Sequence, residues 1–294
     1  MMNTVTTVRE LRTAVMQARR QGKRIGLVPT MGALHEGHGS LIRRAAEDGT
    51  YVVVSIFVNP TQFRPSEDYS RYPRTLEQDQ QLSAKAGAQL IFAPTVEEMY
   101  GGLSFAAGDE ARSAYIEVPG LSDVLEGKMR PGHFRGVAPV VAKLFHQSQP
   151  DTAYFGEKDA QQLAVIRQMV RDLHMPVEIV GCPTLREADG LAMSSRNRYL
   201  NPEQRERSSV LFHALSEAKD RVREGERDGE VLRAVMSGML DDTPGCEREY
   251  ALVVDPATFQ PVSRIRDAAL AVIAARFGAT RLIDNMALIS AETA

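Results

Sequence analysis

Strand-like apolar runs alternate with helix-like amphipathic segments through residues 1–180 of the chain. Residues 23–28, with the apolar run 25–28, and residues 51–58 are strand-like, whereas residues 8–20 and 40–47 repeat apolar side chains at helical spacing. Because parallel strands need a crossover connection, which is usually a helix, this alternation predicts an α/β fold with a parallel sheet and helices on both faces. Ligands of such sheets bind at the carboxyl ends of the strands.

The character of the sequence changes near residue 186. Two helical segments, residues 202–225 and 229–240, precede three strand-like runs, and this order is typical of an α+β domain. We therefore predict two domains, a parallel-sheet α/β domain over residues 1–185 and a smaller α+β domain over residues 186–294.

The composition is that of a globular protein without a surface for membranes or nucleic acid. Hydrophobic residues make up 43% and charged residues 25% of the chain, and a net charge of −3 with no long basic run argues against nucleic-acid binding. No apolar run reaches the roughly 18 residues that a membrane helix needs, and residues 1–24 have no signal-like apolar core. Two cysteines, Cys182 and Cys246, suit a reducing compartment, so we expect a cytoplasmic protein.

A turn with two histidines follows the first apolar run. Residues 31–38 read Met-Gly-Ala-Leu-His-Glu-Gly-His, which predicts His35 and His38 on one face of the first turn of a helix. Amides and the dipole at a helix start attract phosphate, and two imidazoles there can neutralise the charge that grows during adenylyl transfer. The spacing does not fit a zincin helix, which needs the second histidine four positions on. Histidines that only cap the helix or lie on the surface are the alternative that these residues leave open.

Two further polar segments follow predicted strands. Gln62 offers a donor and an acceptor to a ligand with carboxylate and hydroxyl groups, although an ordinary turn with a solvated amide explains this residue better when it is taken alone. Residues 156–159, Gly-Glu-Lys-Asp, open a predicted helix and put a lysine where phosphate binds, without the spacing of a Walker A loop. Asp159 can anchor a ribose or cap this helix, and either Gln161 or Gln162 can face the ligand.

Two polar loops complete the candidate site. Residues 193–197, Met-Ser-Ser-Arg-Asn, lie near the predicted domain boundary and combine two hydroxyls with a guanidinium, which suits a mobile loop that closes over triphosphate oxygens. Residues 128–133 bring Lys128, Arg130 and His133 into one short segment. Each loop is also compatible with a solvated polar surface, so neither identifies a function by itself.

Taken in this order and spacing, the segments resemble the pantothenate synthetase (pantoate–β-alanine ligase) family over residues 23 to about 201. The resemblance implies a Rossmann-like parallel-sheet domain of the nucleotidyltransferase group, with the smaller C-terminal domain acting as a lid. It also implies a homodimer that condenses pantoate with β-alanine, using ATP as a substrate together with Mg²⁺. The implied route passes through a pantoyl adenylate and releases pantothenate, AMP and pyrophosphate.

The same resemblance implies a role for each matching residue. His38 is expected as the catalytic histidine, and the other implied catalytic groups are His35, Lys158 and Arg196. Asp79 matches an acid near Mg²⁺. The residues expected to bind pantoate and β-alanine are Gln62, Gln162, Arg130 and His133. The residues implied in ATP binding are Met31, Gly32, Ala33, Leu34, His35, Glu36, Gly37, His38, Gly156, Glu157, Lys158, Asp159, Leu185, Met193, Ser194, Ser195 and Arg196.

Three other functions compete with this interpretation. One is an enzyme of the same fold that adenylylates a different carboxylate or a phosphate, and for a phosphate acceptor we expect basic residues, not two glutamines, at the acceptor site. A protein that charges or binds tRNA is disfavoured by the short chain and the mild negative charge. A silent nucleotide-binding regulator is expected to lack one of the histidines or the lysine, and all three are present.

Overall fold

The computed structural model describes residues 2–65, 67–101 and 114–289. The described residues form two compact units, and each has its own apolar core. The first unit consists of Met1–Glu157 and Val165–Pro183, and the second of Lys158–Ala164 and Thr184–Ala294. The units differ from the predicted domains mainly in residues 158–164, which we expected in the first domain.

A parallel sheet forms the centre of the first unit. Its strands are β1 (Asn3–Val5), β2 (Ile25–Thr30), β3 (Tyr51–Ile56), β4 (Leu90–Phe92), β5 (Thr152–Gly156) and β6 (Glu178–Cys182). In the described part of the chain they lie in the order β1-β4-β3-β2-β5-β6, and every neighbouring pair is parallel. The predicted α/β fold with a parallel sheet is therefore confirmed.

The strand order reverses at β2. Strands β3 and β4 lie on one side of β2, whereas β5 and β6 lie on the other side. In open parallel sheets such a switch point leaves a crevice at the carboxyl ends of the strands, where ligands bind. The turn that follows Thr30 begins at this point of the sheet.

The α-helices described before and between these strands include two short ones that the sequence pattern did not reveal. They are α1 (Val8–Arg20), α2 (Glu36–Glu47), α3 (Leu76–Ala86), α4 (Val96–Tyr100), α5 (Leu125–Met129), α6 (His133–Ser148) and α7 (Ala160–Asp172). Thr7 begins α1 with a capping box that includes Glu10. The short elements β1, α4 and α5 were not predicted, because three to five residues are too few to show a periodic apolar pattern. Buried side chains such as Val28, Ile42 and Tyr154 form the core between sheet and helices.

The second unit has the predicted α+β composition. Its helices are α8 (Pro202–Arg207), α9 (Val210–Arg223) and α10 (Gly229–Asp241), and its strands are β7 (Cys246–Val254), β8 (Ala269–Phe277) and β9 (Thr280–Ile289). The strands form an antiparallel sheet in the order β7-β8-β9, and Leu215, Met236 and Phe277 are among the fully buried side chains beneath it. Over residues 2–65, 67–101 and 114–289, no helix is both long and apolar enough to span a membrane.

The single long helix predicted over residues 202–225 is wrong, because the chain breaks between α8 and α9. The hydroxyl of Ser208 donates to the carbonyl of Arg205 at 2.8 Å, and that of Ser209 donates to the carbonyl of Glu206 at 2.9 Å. Serine hydroxyls that bond to preceding carbonyls compete with the helical hydrogen-bond ladder. Two adjacent serines therefore end one helix and allow a second to begin.

Candidate active site

The turn after β2 has a backbone conformation that few residues adopt. Gly32 and Ala33 have positive φ angles of 81° and 51°. A Cβ atom at residue 32 would lie 3.0 Å from Asp79 Oδ2 and 3.0 Å from Ile56 Cγ2, so glycine suits both the angle and the space. The chain therefore leaves β2 in a fixed direction on its way to α2.

The buried carboxylate of Asp79 holds this turn in place. Asp79 lies on α3 with 2% of its surface exposed. Its Oδ1 accepts hydrogen bonds from the amide of Leu34 at 2.8 Å and the hydroxyl of Thr75 at 3.1 Å, and its Oδ2 accepts one from the amide of Ala33 at 3.1 Å. Hydrogen bonds to a charged acceptor are stronger than neutral ones, so this carboxylate fixes the approach to the histidines.

The neighbouring amides of the turn are also engaged within the chain. The amide of Gly32 donates to Thr30 Oγ1 at 3.2 Å, and that of His35 donates to His38 Nδ1 at 3.3 Å. Together with the two amides bound to Asp79, every amide from residue 32 to residue 35 has an acceptor. The amides of this turn are therefore occupied by acceptors of the chain itself, and the conformation of the turn is fixed by them.

His35 and His38 lie side by side at the start of α2. His35 is the N-cap residue and not part of the helix proper, His38 is the third helical residue, and their ring centroids are 4.1 Å apart. A backbone amide can only donate, so His38 Nδ1 accepts in its contact with the amide of His35. The proton of the neutral His38 ring is therefore on Nε2, which makes this nitrogen a donor for a phosphate oxygen.

Asn59 fixes the orientation of the Gln62 side chain. Asn59 Nδ2 donates to the carbonyl of Gly136 and to Gln62 Oε1, both at 3.1 Å, while Asn59 Oδ1 accepts from the hydroxyl of Tyr100 at 2.6 Å. Because the Gly136 carbonyl can only accept, the Asn59 amide has one orientation, and Oε1 of Gln62 must be the acceptor. Gln62 Nε2 then lies 3.0 Å from Met31 Sδ. The donor end of this 9%-exposed side chain is thus directed toward the histidine turn.

Close packing of the start of α6 against residues 60–62 supports the same segment. A Cβ atom at residue 136 would lie 2.3 Å from the main-chain oxygen of Thr61, so only glycine allows this approach. The contact places the amino-terminal part of α6 directly against the backbone next to Gln62.

His133, Arg130 and Glu67 hold the main chain of Gln62. Arg130 donates to both carboxylate oxygens of Glu67 at 2.7 Å, and its Nη1 lies 3.1 Å from His133 Nε2. Arginine has no acceptor, so Nε2 must accept, and the proton on His133 Nδ1 is donated to the carbonyl of Gln62 at 3.0 Å. The three side chains therefore form one chain of hydrogen bonds that ends on a substrate-binding candidate.

The protonation of this group is set by burial and by charge. Burial and the adjacent guanidinium of Arg130 lower the pKa of His133 to about 4, so the ring is neutral near pH 7. Burial by itself raises the pKa of Glu67, but the hydrogen bonds and charge of Arg130 outweigh it, and the pKa is lowered from its ordinary value. A cation, a neutral imidazole and a carboxylate are thus kept together at neutral pH.

In the second unit, two neighbouring residues of β9 contact segments that contain other residues predicted to bind ATP. Lys158 lies in a short 3-10 turn, and its carbonyl accepts a hydrogen bond from Asn285 Nδ2 at 2.9 Å. The buried carboxylate of Asp284 accepts two hydrogen bonds from Arg186, at 2.6 and 3.0 Å. Strand β9 therefore holds the main chain at Lys158 through Asn285. It also holds the side chain of Arg186, the residue after Leu185, through Asp284. In α7, Gln162 is half-buried.

The serine-containing loop at residues 193–197 runs into a 3-10 helix with internal hydrogen bonds. Ser194 precedes this helix, Ser195–Tyr199, and its hydroxyl oxygen accepts from the amide of Arg196 at 3.2 Å. The amide of Met193 donates to the carbonyl of Leu185 at 3.0 Å, so the chain is also held just before the serines. The sequence predicted neither this 3-10 helix nor these backbone contacts, and the closing motion of the loop stays a prediction.

Ion pairs on the surface of the second unit brace the same loop. Arg205 donates to the carboxylates of Glu187 and Asp189, and Asn197 Nδ2 donates to Glu187 Oε1 at 2.8 Å. Hydrogen bonding to Arg205 lowers the pKa of Asp189 below its ordinary value. Glu187 therefore links Arg205 to Asn197 at the end of this loop.

The structure brings many of the predicted residues together within each unit. In the first unit, three sets of hydrogen bonds meet along the chain segment 31–35, and they involve Met31, Ala33, Leu34, His35, His38, Gln62, Asp79, Arg130 and His133. Sequence reasoning assigned no role to Asn59, Glu67 or Asn285, which contact predicted residues. The only early signal was the position of Asn59 directly after a strand, since the other two make contacts to residues distant in sequence.

The described residues form no resident metal centre. Among them, no group of three or more histidine, cysteine, aspartate or glutamate side chains is arranged to hold a metal ion. Asp79 is buried and accepts three hydrogen bonds, whereas Mg²⁺ keeps a nearly octahedral set of oxygen ligands that are largely waters and phosphates. These contacts do not support the metal role implied for Asp79, which stays a prediction.

Comparison with known proteins identifies relatives over the whole length of the chain. The family model described as pantoate-beta-alanine ligase matches residues 3–287. A pantothenate synthetase from Moorella thermoacetica is 50% identical over 287 residues, which cover 98% of this chain and 99% of the relative. One from Pseudomonas entomophila is 53% identical over 288 residues, with 98% of each chain covered.

Solved structures agree in fold as well as in sequence. A crystal structure of pantothenate synthetase from Thermus thermophilus has a TM-score of 0.90 and 46% identity, covering 98% of this chain and all of its own. A pantoate-beta-alanine ligase from Francisella tularensis, described as complexed with beta-gamma ATP and β-alanine, has a TM-score of 0.77 and 32% identity, with 98% of each chain covered.

A parallel sheet with two histidines in the turn at its switch point is typical of α/β enzymes, a class that binds small substrates at strand ends. With matches of this length and identity, the chain belongs to the pantoate–β-alanine ligase family. It is therefore a ligase that forms the carbon–nitrogen bond between pantoate and β-alanine.

Proposed function

We propose that this chain performs the ligation in two steps, with ATP as the activating substrate. A carboxylate does not acylate an amine at neutral pH, because its oxygen is a poor leaving group, whereas a mixed anhydride with AMP supplies a good one. The observation that carries this proposal is the pair of imidazoles on a rigid turn at the switch point of the sheet, where phosphates commonly bind.

In the first step, a carboxylate oxygen of pantoate attacks the α-phosphorus of ATP. The new P–O bond forms as the bond to the bridging oxygen of the β-phosphate breaks, and pyrophosphate leaves. His38 Nε2–H donates to a phosphate oxygen whose charge grows in the transition state, and His35 supplies a second imidazole beside it. The protein acts by positioning and electrostatics, so no side chain of the chain serves as a nucleophile.

Gln62 is proposed to hold pantoate for this attack. Its amide has a fixed orientation with Nε2 as the donor, which suits a carboxylate or hydroxyl oxygen of pantoate. Arg130 and His133, expected from the resemblance to bind substrate, are proposed to act on it through the main chain of Gln62.

In the second step, the amine of β-alanine attacks the acyl carbon of pantoyl adenylate. The bond from that carbon to the AMP oxygen breaks, AMP leaves with the electron pair, and the amine loses a proton to solvent. Because water could attack the same carbon, the reaction needs an environment that excludes it.

Residues of the second unit and of the adjoining turn are proposed to bind ATP on the basis of the sequence resemblance. Lys158, Ser194, Ser195 and Arg196 carry the cation, hydroxyls and guanidinium that suit phosphate oxygens. The residues proposed for the adenosine part are Gly156, Glu157, Asp159, Leu185 and Met193. Gln162 is proposed as a second amide for pantoate.

Mg²⁺ is proposed to arrive on the phosphates of ATP, where it would neutralise part of their charge. The resemblance also supports a homodimer in the cytoplasm, with pantoate, β-alanine and ATP as its small-molecule partners. The second unit is proposed to serve as a lid, as the resemblance implies.

Isotope transfer and partial reactions test the two-step route. With ATP, Mg²⁺ and pantoate alone, we expect a single stoichiometric burst of pyrophosphate, and the addition of β-alanine should start steady AMP release. Pantoate labelled with ¹⁸O in its carboxylate should pass one ¹⁸O to AMP. AMP without the label would contradict the acyl adenylate, and no turnover with both substrates in a protein that still binds ATP would contradict the proposed acceptors.

A further inference from the structure

Glu67 has no place in the reaction described above, yet hydrogen bonds lead from it through Arg130 and His133 to the main chain of a proposed substrate-binding residue. Its carboxylate accepts from Nε and Nη2 of Arg130, both at 2.7 Å, in a bidentate pair. The two side chains are mostly buried, with 17% of Arg130 and 19% of Glu67 exposed. Such a planar fork restricts the guanidinium to one orientation.

The orientation of Arg130 determines what His133 can do. With Nε and Nη2 bound to Glu67, Nη1 of Arg130 is directed to His133 Nε2 at 3.1 Å. This contact makes Nε2 an acceptor, so the ring proton is on Nδ1 and is donated to the carbonyl of Gln62. If Arg130 turned away, the alternative tautomer would place two acceptors, Nδ1 and the Gln62 carbonyl, against each other.

The position of the Gln62 amide depends on both of its supports. Asn59 orients the side chain, while His133 holds the carbonyl of the same residue, and Arg130 Nη2 lies 3.5 Å from that oxygen. Releasing the main chain would move the side chain that Asn59 otherwise directs toward Met31.

We propose that Glu67 is a positioning residue for pantoate: by fixing the Arg130 fork it keeps His133 as a donor to the Gln62 carbonyl and so sets where the Gln62 amide meets the substrate. This inference rests on the proposed role of Gln62 in pantoate binding. It assigns Glu67 to one substrate only, since none of its contacts reaches the histidine turn except through Gln62.

Steady-state kinetics of the full chain with each substrate varied in turn tests the proposal. For Glu67→Gln we expect the KM for pantoate to rise about 10-fold while the KM for ATP changes by less than about 2-fold, because only the pantoate contact is displaced. Arg130→Lys keeps the positive charge but not the planar guanidinium that pairs with both Glu67 oxygens, and it should raise the KM for pantoate to a smaller extent. This variant tests the inference if Glu67→Gln does not fold. Equal changes in both KM values would overturn the inference.

Glu117→Gln is the matched control. It removes the partner of Arg135 in another glutamate–arginine pair of the first unit, and that pair is far more exposed. We expect its KM for pantoate to stay at the wild-type value. A rise equal to that of Glu67→Gln would show a general effect of lost ion pairs and would overturn the inference.

A double-mutant cycle separates this inference from the role of Gln62. Gln62→Ala removes the side-chain amide but keeps the main-chain carbonyl that His133 contacts. Adding Glu67→Gln to this variant should therefore change the KM for pantoate by less than about 2-fold. If Gln62→Ala raises this KM and Glu67→Gln does not, the positioning role is overturned and the role of Gln62 stands. If Gln62→Ala leaves the KM unchanged, the role of Gln62 fails and the inference fails with it.

Discussion

The turn after β2 and the loop after Leu185 carry similar proposed tasks but are held in different ways. The turn depends on the buried carboxylate of Asp79, whose two oxygens accept hydrogen bonds from backbone amides of the turn. The loop depends on Arg205, a guanidinium with 29% of its side chain exposed, and on carboxylates that are also partly exposed. A buried charge that satisfies amides is costly to remove, whereas an exposed ion pair is replaced by water, so the two regions should respond differently to substitution.

The largest effect is expected at the histidine turn itself. His38→Ala should lower kcat by roughly 10²- to 10⁴-fold, because the donor at Nε2 meets charge that develops in the transition state. His38→Gln, which can place an amide donor near the same position, should recover part of that loss. The check is the rate of pyrophosphate formation together with an unchanged melting temperature, and a near-wild-type rate for His38→Ala would remove this residue from the mechanism.

Acid should distinguish the buried network of the first unit from the surface pairs of the second. The pKa of His133 is lowered from 6.5 to about 4 in the folded chain, so between these pH values the unfolded chain binds a proton that the folded chain does not. The free energy of unfolding should therefore be fully retained above pH 6.5 and fall by about 3 kcal/mol as the pH drops to 4. The lowered pKa of Asp189 gives stability that is lost only below about pH 3.8.

Urea denaturation at a series of pH values measures this slope. In His133→Asn, whose amide can still donate to the Gln62 carbonyl, the fall between pH 6.5 and 4 should become shallower whatever the stability at pH 7. His174→Asn changes an exposed histidine outside the network and should keep the wild-type slope. An unchanged slope in His133→Asn would mean that another group binds the proton.

Asp79→Asn tests how strongly the buried carboxylate holds the turn. The amide keeps one oxygen acceptor but turns an NH₂ group toward an amide or hydroxyl donor, so the free energy of unfolding should fall by about 1–3 kcal/mol. The KM for ATP should rise as well, because the turn that leads to His35 loses a support. Equilibrium denaturation and substrate titration check both effects, and a variant as stable and active as the wild type would show that the turn does not need Asp79.

The sequence was sufficient for the parts of the molecule that local patterns specify. Alternating apolar runs predicted the parallel sheet, and the residues after the first run predicted a turn with His35 and His38 at the start of a helix. It could not show that Asp79 binds amides 45 and 46 residues earlier, or that Glu67 pairs with Arg130, because such contacts depend on how distant segments pack.

The smallest effect is expected from Arg205→Ala in the loop of the second unit. The substitution removes both ion pairs of this side chain, yet Glu187 still accepts a hydrogen bond from Asn197, which itself donates to the carbonyl of Ala192 at 3.1 Å. The exposed carboxylates can regain water, so the loss should be about 1 kcal/mol or less, close to that of Arg223→Ala in a more exposed pair of α9. Denaturation of both variants measures the difference. A loss as large as that of Asp79→Asn would mean that surface charge holds this loop as firmly as the buried carboxylate holds the turn, and the contrast between the two regions would fail.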